Sequence, residues 1–169
     1  GFGNRHLLPA GPLREPTSRL GEATLAVITQ ASDEAVPIPE SLPHDLPTFV
    51  QRLVPGRALH QVADPGTVEP VTAFAGEGGI HAIAGIGHPE RFFETLARLG
   101  IHATPHAFAD HHAFVPGDLS LPQARKIVMT AKDAVKCRAF ADARCWYLPV
   151  RAEIDAALTD RVEKTIRGP

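Results

Sequence analysis

The sequence predicts an α/β fold with a largely parallel sheet, and three observations point there. From residue 80 onward, short apolar runs of strand length alternate with segments whose apolar residues repeat at helical spacing. The turns from strand to helix carry suitable residues: Gly85-Ile86-Gly87-His88-Pro89 after one run and Thr130-Ala131-Lys132-Asp133 after another. Proline is uneven, with ten of the sixteen in residues 1–70, so the first part reads as loops around a few strands.

Each element has its own justification. Thr24-Leu25-Ala26-Val27-Ile28-Thr29 is an apolar run of strand length. Residues 33–48 hold Pro37, Pro39, Pro43 and Pro47 and are expected to be a surface excursion. Residues 57–62 and 68–74 are expected as paired strands around an Asp64-Pro65-Gly66 turn. Residues 80–84 form a strand, and Pro89 opens a helix in which Phe92, Phe93, Leu96 and Leu99 share one face, with Gly100 as its left-handed stop. Residues 101–107 are expected as a strand and Phe108 to Phe114 as a His-rich loop. A strand at Ile127-Val128-Met129 leads into a short helix from Thr130 to Phe140. Trp146-Tyr147-Leu148-Pro149-Val150 is a further strand, placed at an edge by its proline. Ile154, Ala157, Leu158, Val162 and Ile166 mark a last amphipathic helix.

Composition excludes several classes. The chain has 169 residues, 44% of them hydrophobic and 21% charged, which fits one ordinary domain or two small ones and not a disordered chain. A net charge of −2 provides no basic field for nucleic acid. No apolar run reaches the ~18 residues of a spanning helix. The polar start Gly1-Phe2-Gly3-Asn4-Arg5-His6 is not a secretory signal. The first residue is not Met, so the chain is expected to be processed or part of a longer protein. Cys137 and Cys145 form neither a disulfide framework nor a zinc pattern and read as two reduced thiols.

In an open parallel sheet, ligands sit outside the carboxyl ends of the strands. Gly85 to His88, Asp110 to Phe114 and Thr130 to Asp133 all fall at that edge, distant in sequence yet expected to be close in space. Asp110-His111-His112 offers an imidazole beside a carboxylate, suited to acid–base work, or a loop of solvated histidines. Adjacent histidines face different ways in an extended chain, and the others are scattered, so no complete metal site is expected. Gly85 and Gly87 open a turn that either presents N–H groups to an anion or is simply a turn. Thr130, Lys132 and Asp133 read as a helix cap with a solvated lysine, or as a site edge. In Leu13-Arg14-Glu15-Pro16, a guanidinium beside a carboxylate suits a phosphate and its cation. A Gly-x-x-x-x-Gly-Lys-Ser/Thr phosphate loop is absent from the sequence: Gly79 is followed by Ile80 and His81.

Four strings then resemble one family in order. They are Asn4 with Leu7-Leu8-Pro9-Ala10-Gly11-Pro12-Leu13-Arg14-Glu15-Pro16, then Ala82 to Phe93, Phe108 to Phe114, and Met129 to Cys137. They resemble hallmark segments of the tetraacyldisaccharide 4′-kinases, and the 146–150 strand extends the likeness. The resemblance implies a membrane-associated enzyme that transfers the γ-phosphate of ATP, with Mg2+, to the 4′-hydroxyl of a lipid A disaccharide precursor at the cytoplasmic face of the inner membrane. It implies a phosphate-loop domain joined to a small C-terminal α/β domain. Residues 1–75 are then expected to be the remnant of the nucleotide-binding domain, and 76–169 the C-terminal domain, with its last helix packing back on the first part. The family's catalytic Asp–His pair places the His at His111, while Arg14 and Glu15 fall near phosphates and metal. The partner Asp, the phosphate loop and the membrane-contacting helix are expected upstream of Gly1. The chain by itself is expected to be inactive; the alternative is a non-catalytic module that binds a sugar phosphate or serves as a scaffold. Ala131 departs from the usual family Glu, and residues 31–79 match poorly.

Overall fold

The computed structural model describes residues 2–30, 38–40 and 42–167. In chain order the strands are β1 (Ala26–Gln30), β2 (Thr48–Pro55), β3 (Ala58–Gln61), β4 (Val68–Pro70), β5 (Ile80–Ala84), β6 (Thr104–Ala107), β7 (Lys126–Thr130), β8 (Cys145–Leu148) and β9 (Val150–Ile154). The helices are α1 (Pro89–Arg98), α2 (Ala131–Cys137) and α3 (Ala156–Arg167). The chain forms two compact units, Gly1–Val54 with Ala152–Pro169, and Pro55–Arg151. This division differs from one at residue 75, because β3 and β4 pair into the sheet of the second unit.

The first unit holds a three-stranded sheet in the order β1-β2-β9, with β1 and β2 parallel from Ala26↔Thr48 to Gln30↔Arg52. Its core is thin: Leu46 and Leu158 are its buried apolar residues among those described, and Val27 is 41% exposed. Residues 33–37 and 41 of the expected excursion lie outside the described residues. The remainder runs into β2, where Thr48-Phe49-Val50 takes up extended structure directly after the last proline.

The second unit is built on a six-stranded sheet in the order β4-β3-β8-β7-β5-β6. β8, β7, β5 and β6 are mutually parallel, and β3 runs antiparallel to both β8 and β4, so the sheet is mixed with a parallel core. Buried parallel strands read as continuous apolar runs because both faces are covered. β7 shows this: Val128 packs with α1's cluster, while Ile127 and Met129 pack with α2's. Phe92 and Leu96 of α1 and Cys137 and Ala134 of α2 thus cover opposite faces. Each large side chain so buried contributes about 1.5–3 kcal/mol.

The ends of α1 explain its length. Pro89 occupies its first turn, and Gly100 stops it at φ 79°. Gly100 N donates to Ala97 O at 2.9 Å and Ile101 N to Leu96 O at 2.9 Å, the paired bonds of a left-handed helix stop, with Leu96 and Ile101 both buried. The chain therefore stays out of the sheet until Thr104, and the strand expected from 101 is β6 alone. The strand expected to 74 ends at Pro70, and 71–73 turn as a 3-10 helix, with Val71 N bonded to Arg57 O. Pro149 does not mark an edge: β8 lies between β3 and β7, and the proline separates β8 from β9.

One carboxylate joins the ends of β5 and β7. Thr130 caps α2, its Oγ1 accepting from Asp133 N at 3.1 Å. Asp133, fully buried, accepts at Oδ2 from Gly85 N at 3.0 Å and from Thr130 Oγ1 at 2.7 Å, and at Oδ1 from Lys136 Nζ at 3.0 Å. A buried charge is tolerated only when so partnered. Asp133→Ala leaves the buried Gly85 N–H unpaired and is expected to cost about 2–4 kcal/mol, measured by denaturant unfolding; a loss within about 0.5 kcal/mol contradicts this role.

The two thiols are buried. Burial, with Asp133 nearby, pushes Cys137 up to about 12, and burial pushes Cys145 up to about 11. Both stay protonated at neutral pH, so a thiol reagent at pH 8 is expected to label the native chain slowly and the denatured chain fast. Because these values lie above the ordinary 9.0, the thiols favour the fold below pH ~9, and that contribution fades as pH rises through about 11–12. A melting temperature that rises over this range contradicts the assignment.

Candidate functional site

The order β8-β7-β5-β6 sets the carboxyl ends of β7, β5 and β6 side by side. The three segments expected at one edge therefore meet there. Phe108 N donates to Ala84 O at 2.8 Å, carrying the β5–β6 pairing into the His-rich loop, and Asp133 ties Gly85 to the start of α2. Gly85 is closely packed: a Cβ there would lie 3.1 Å from Phe114 Cε2 and 3.2 Å from His112 Cβ, so these neighbours would have to shift by a few tenths of an ångström. Gly87 is exposed, and a Cβ on it would sit 3.5 Å from Asp110 Oδ2, so this turn and the Asp-His-His loop border one another.

The loop itself turns sharply. His112 N donates to Ala109 O at 3.0 Å, and His111 takes φ 60°, a left-handed conformation uncommon outside glycine. His111 N donates to Asp110 Oδ1 at 3.0 Å. Its ring stands free in solvent, 91% exposed, with Nε2 3.8 Å from Asp110 Oδ2, an ion-pair distance and not a hydrogen bond. The two histidines do face different ways, through a turn and not through an extended chain. His111 points outward; His112 is folded in.

His112 is the better-partnered ring. It lies 4.7 Å from Phe108 and 4.9 Å from Phe114, centroid to centroid, and its Nε2 meets Asp118 Oδ2 at 2.9 Å. The same oxygen accepts from Val115 N at 2.9 Å. The Val115 N–H and then His112 hold the Asp118 carboxyl below its usual range. Sequence reasoning missed this pair, although Val115-Pro116-Gly117-Asp118, a proline turn ending on an acid, was a usable signal.

The remaining expected residues divide. Thr130 and Asp133 serve as cap and clasp, while Lys132 is exposed on the first turn of α2. It is Lys136 that reaches inward, to Asp133 and to 5.5 Å from the Phe114 ring centre. Arg14 and Glu15 lie in the other unit; Arg14 is exposed, and Glu15 Oε2 accepts from Arg19 Nε at 3.1 Å. Among the described residues, no three His, Cys, Asp or Glu side chains are grouped to hold a metal, and no helix is long and apolar enough to cross a membrane. A half-buried charged cluster also escaped sequence reasoning. Lys126 Nζ lies 2.8 Å from Glu69, 3.0 Å from Glu77 and 4.0 Å from the centre of the Phe74 ring. Burial works against its charge, but the two carboxylates prevail and raise its pKa.

Comparison with known proteins follows the same residues. The family profile LpxK, tetraacyldisaccharide-1-P 4′-kinase, matches residues 1–167. A tetraacyldisaccharide 4′-kinase of Azoarcus sp. (strain BH72) is 45% identical over 165 residues, covering 95% of this chain and 45% of the relative. One of Stenotrophomonas maltophilia (strain R551-3) is 43% identical, covering 96% of this chain and 48% of the relative. The chain thus spans about half the length of the curated relatives it matches. A crystal structure of LpxK from Aquifex aeolicus in complex with ATP shares the fold, with a TM-score of 0.67 at 22% identity over 94% of this chain and 47% of that one. A profile match over nearly every residue, relatives above 40% identity and a shared fold agree, and the chain belongs to the tetraacyldisaccharide-1-P 4′-kinase family.

Proposed function

We propose that this chain is the part of a lipid-sugar kinase that presents His111 to the reacting hydroxyl, and that the whole protein transfers the γ-phosphoryl group of ATP to the 4′-hydroxyl of a tetraacyl disaccharide 1-phosphate. Family membership supports the reaction class. The observation that supports the site is the meeting of Gly85–Gly87, Asp110–His111 and Thr130–Asp133 at one sheet edge, with a solvent-facing imidazole at its rim. Phosphoryl transfer needs positioning and charge stabilisation more than covalent chemistry from the protein. The sugar oxygen bonds to the γ-phosphorus as the bond to the ADP oxygen breaks, and the hydroxyl proton must leave. A sugar hydroxyl is a poor nucleophile at neutral pH, so an imidazole that takes the proton, or orients a carboxylate that takes it, lowers the barrier.

The ATP cradle is a different matter. The residues here contain no phosphate loop, among the described residues no three His, Cys, Asp or Glu side chains are grouped to hold a metal ion, and Glu15 is paired with Arg19. The chain by itself therefore lacks the backbone cradle that a phosphate loop gives to ATP. Arg14, exposed and free to approach a phosphate, is the contribution we assign to the first unit. We further read Gly1–Val54 as belonging to the nucleotide-binding half, and the lipid substrate as met at the cytoplasmic surface of the inner membrane.

Two measurements test this. In the full-length protein, His111→Ala is expected to lower turnover by roughly 10²–10⁴ at saturating ATP and lipid, with an unchanged thermal melt; near-normal turnover removes His111 from the reaction. Residues 1–169 alone are expected to transfer no labelled phosphate, since the groups that stabilise the transferring phosphoryl supply most of the catalysis. Measurable transfer by these residues contradicts the division of labour.

A further inference from the structure

We propose that His112 and Asp118 are positioning residues for His111, acting through the turn of residues 109–112; this rests on the reading of His111 given above. His111 occupies a left-handed backbone conformation that disfavours a residue with a Cβ, and such residues persist where their surroundings hold them. Its own side chain is almost wholly in solvent and makes no hydrogen bond, its nearest partner being Asp110 Oδ2 at 3.8 Å. The holding is done by its neighbours. Asp110 Oδ1 takes the His111 N–H, and His112 N closes the turn on Ala109 O. His112 is in turn fixed from three sides: Phe108, Phe114 and the Asp118 carboxylate.

Each of those three has an anchor of its own, and Phe108 and Phe114 also pack edge to face, 5.0 Å apart. Phe108 N is bonded to the last residue of β5, Ala84. Phe114 is buried against Gly85, with Lys136 over its ring. Asp118 sits in the first turn of a short 3-10 helix, Pro116–Leu119, with Leu119 buried beneath it, and its side chain is only 19% exposed. Apolar packing alone would let the His112 ring rotate between its two aromatic neighbours. A carboxylate at Nε2 selects one orientation and places the proton on that nitrogen when the ring is neutral. The ring then acts as a peg from which the His111 backbone is hung at the rim of the site. An error of about 1 Å in a reacting group costs up to about 100-fold in rate, so loosening the peg lowers turnover without weakening substrate binding.

The test is a double-mutant cycle in the full-length protein, reading labelled phosphate passed from ATP to the tetraacyl disaccharide. His112→Ala and Asp118→Ala are each expected to lower kcat by about 10- to 100-fold, with KM for both substrates within about threefold. His112→Gln, whose amide reaches the place of Nε2, and Asp118→Asn, which keeps an acceptor oxygen, are expected to recover to within about fivefold of wild type. Placed on His111→Ala, none of these changes is expected to lower kcat further, because the group they position is gone. If the alanine variants do not fold, His112→Phe, which fills the aromatic box but drops the carboxylate bond, carries the cycle in their place. Losses that multiply with that of His111→Ala overturn the proposal and leave His112 and Asp118 as structural residues only. No loss in the single variants overturns it as well. Near-normal turnover of His111→Ala is a separate outcome, which overturns the reading of His111 itself.

Discussion

A single buried carboxylate fixes the geometry of the sheet edge on which everything else depends. Asp133 is cut off from solvent, so its oxygens must collect donors, and they find them at two strand ends and on one helix: the Gly85 N–H just past β5, the Thr130 hydroxyl at the end of β7, and the Lys136 ammonium of α2. Each donor constrains a different element. Gly85 fixes where the chain leaves β5 for α1. Thr130 fixes the start of α2. Lys136 brings a positive charge back over the Phe114 ring. Directional bonds in a low-dielectric setting hold these parts more sharply than apolar contact can.

From that joint the site builds outward. Once Gly85 is pinned, its missing side chain makes room for Phe114 and for the Cβ of His112. The Phe108 N–H extends the sheet pairing by one bond to Ala84, so both ends of the His-rich loop are held by β5. Ala109, Asp110, His111 and Ala113 are left exposed between them. Lys126 does related work at the amino end of β7. Its ammonium gathers Glu69 of β4 and Glu77, and so ties the antiparallel strands to the parallel ones. Rigid strands with one short exposed turn is the usual way a sheet carries function.

Much of this was legible in the sequence, and the parts that were not share a cause. The strands β5 and β7, helix α1 with its Gly100 stop and the cap at Thr130 are local patterns, readable within a window of a dozen residues. The convergence of three segments on one edge followed from topology rules alone. β2 was hidden because Pro39, Pro43 and Pro47 lead up to it and suggest loop, and its extended structure depends on pairing with β1 more than 20 residues away. β9 was hidden because Val150-Arg151-Ala152-Glu153-Ile154 is exposed along its length and offers no burial alternation. Asp133 reads as a cap residue, and its second role appears only when β5 and β7 lie parallel, bringing in a partner 48 residues away. His112 and Asp118 are six residues apart and were readable in principle, but the family resemblance points to His111 and not to its neighbour.

Under the proposed function, His111 stands where the phosphoryl group is transferred. The most direct measurement is a crystal structure of the full-length protein holding a non-hydrolysable ATP analogue and the tetraacyl disaccharide. The expected result is a His111 ring within hydrogen-bond reach, roughly 3 Å, of the 4′-hydroxyl or of a carboxylate that itself contacts that hydroxyl. A His111 ring still turned to solvent, about 8 Å or more from both, with another side chain in its place, would contradict it.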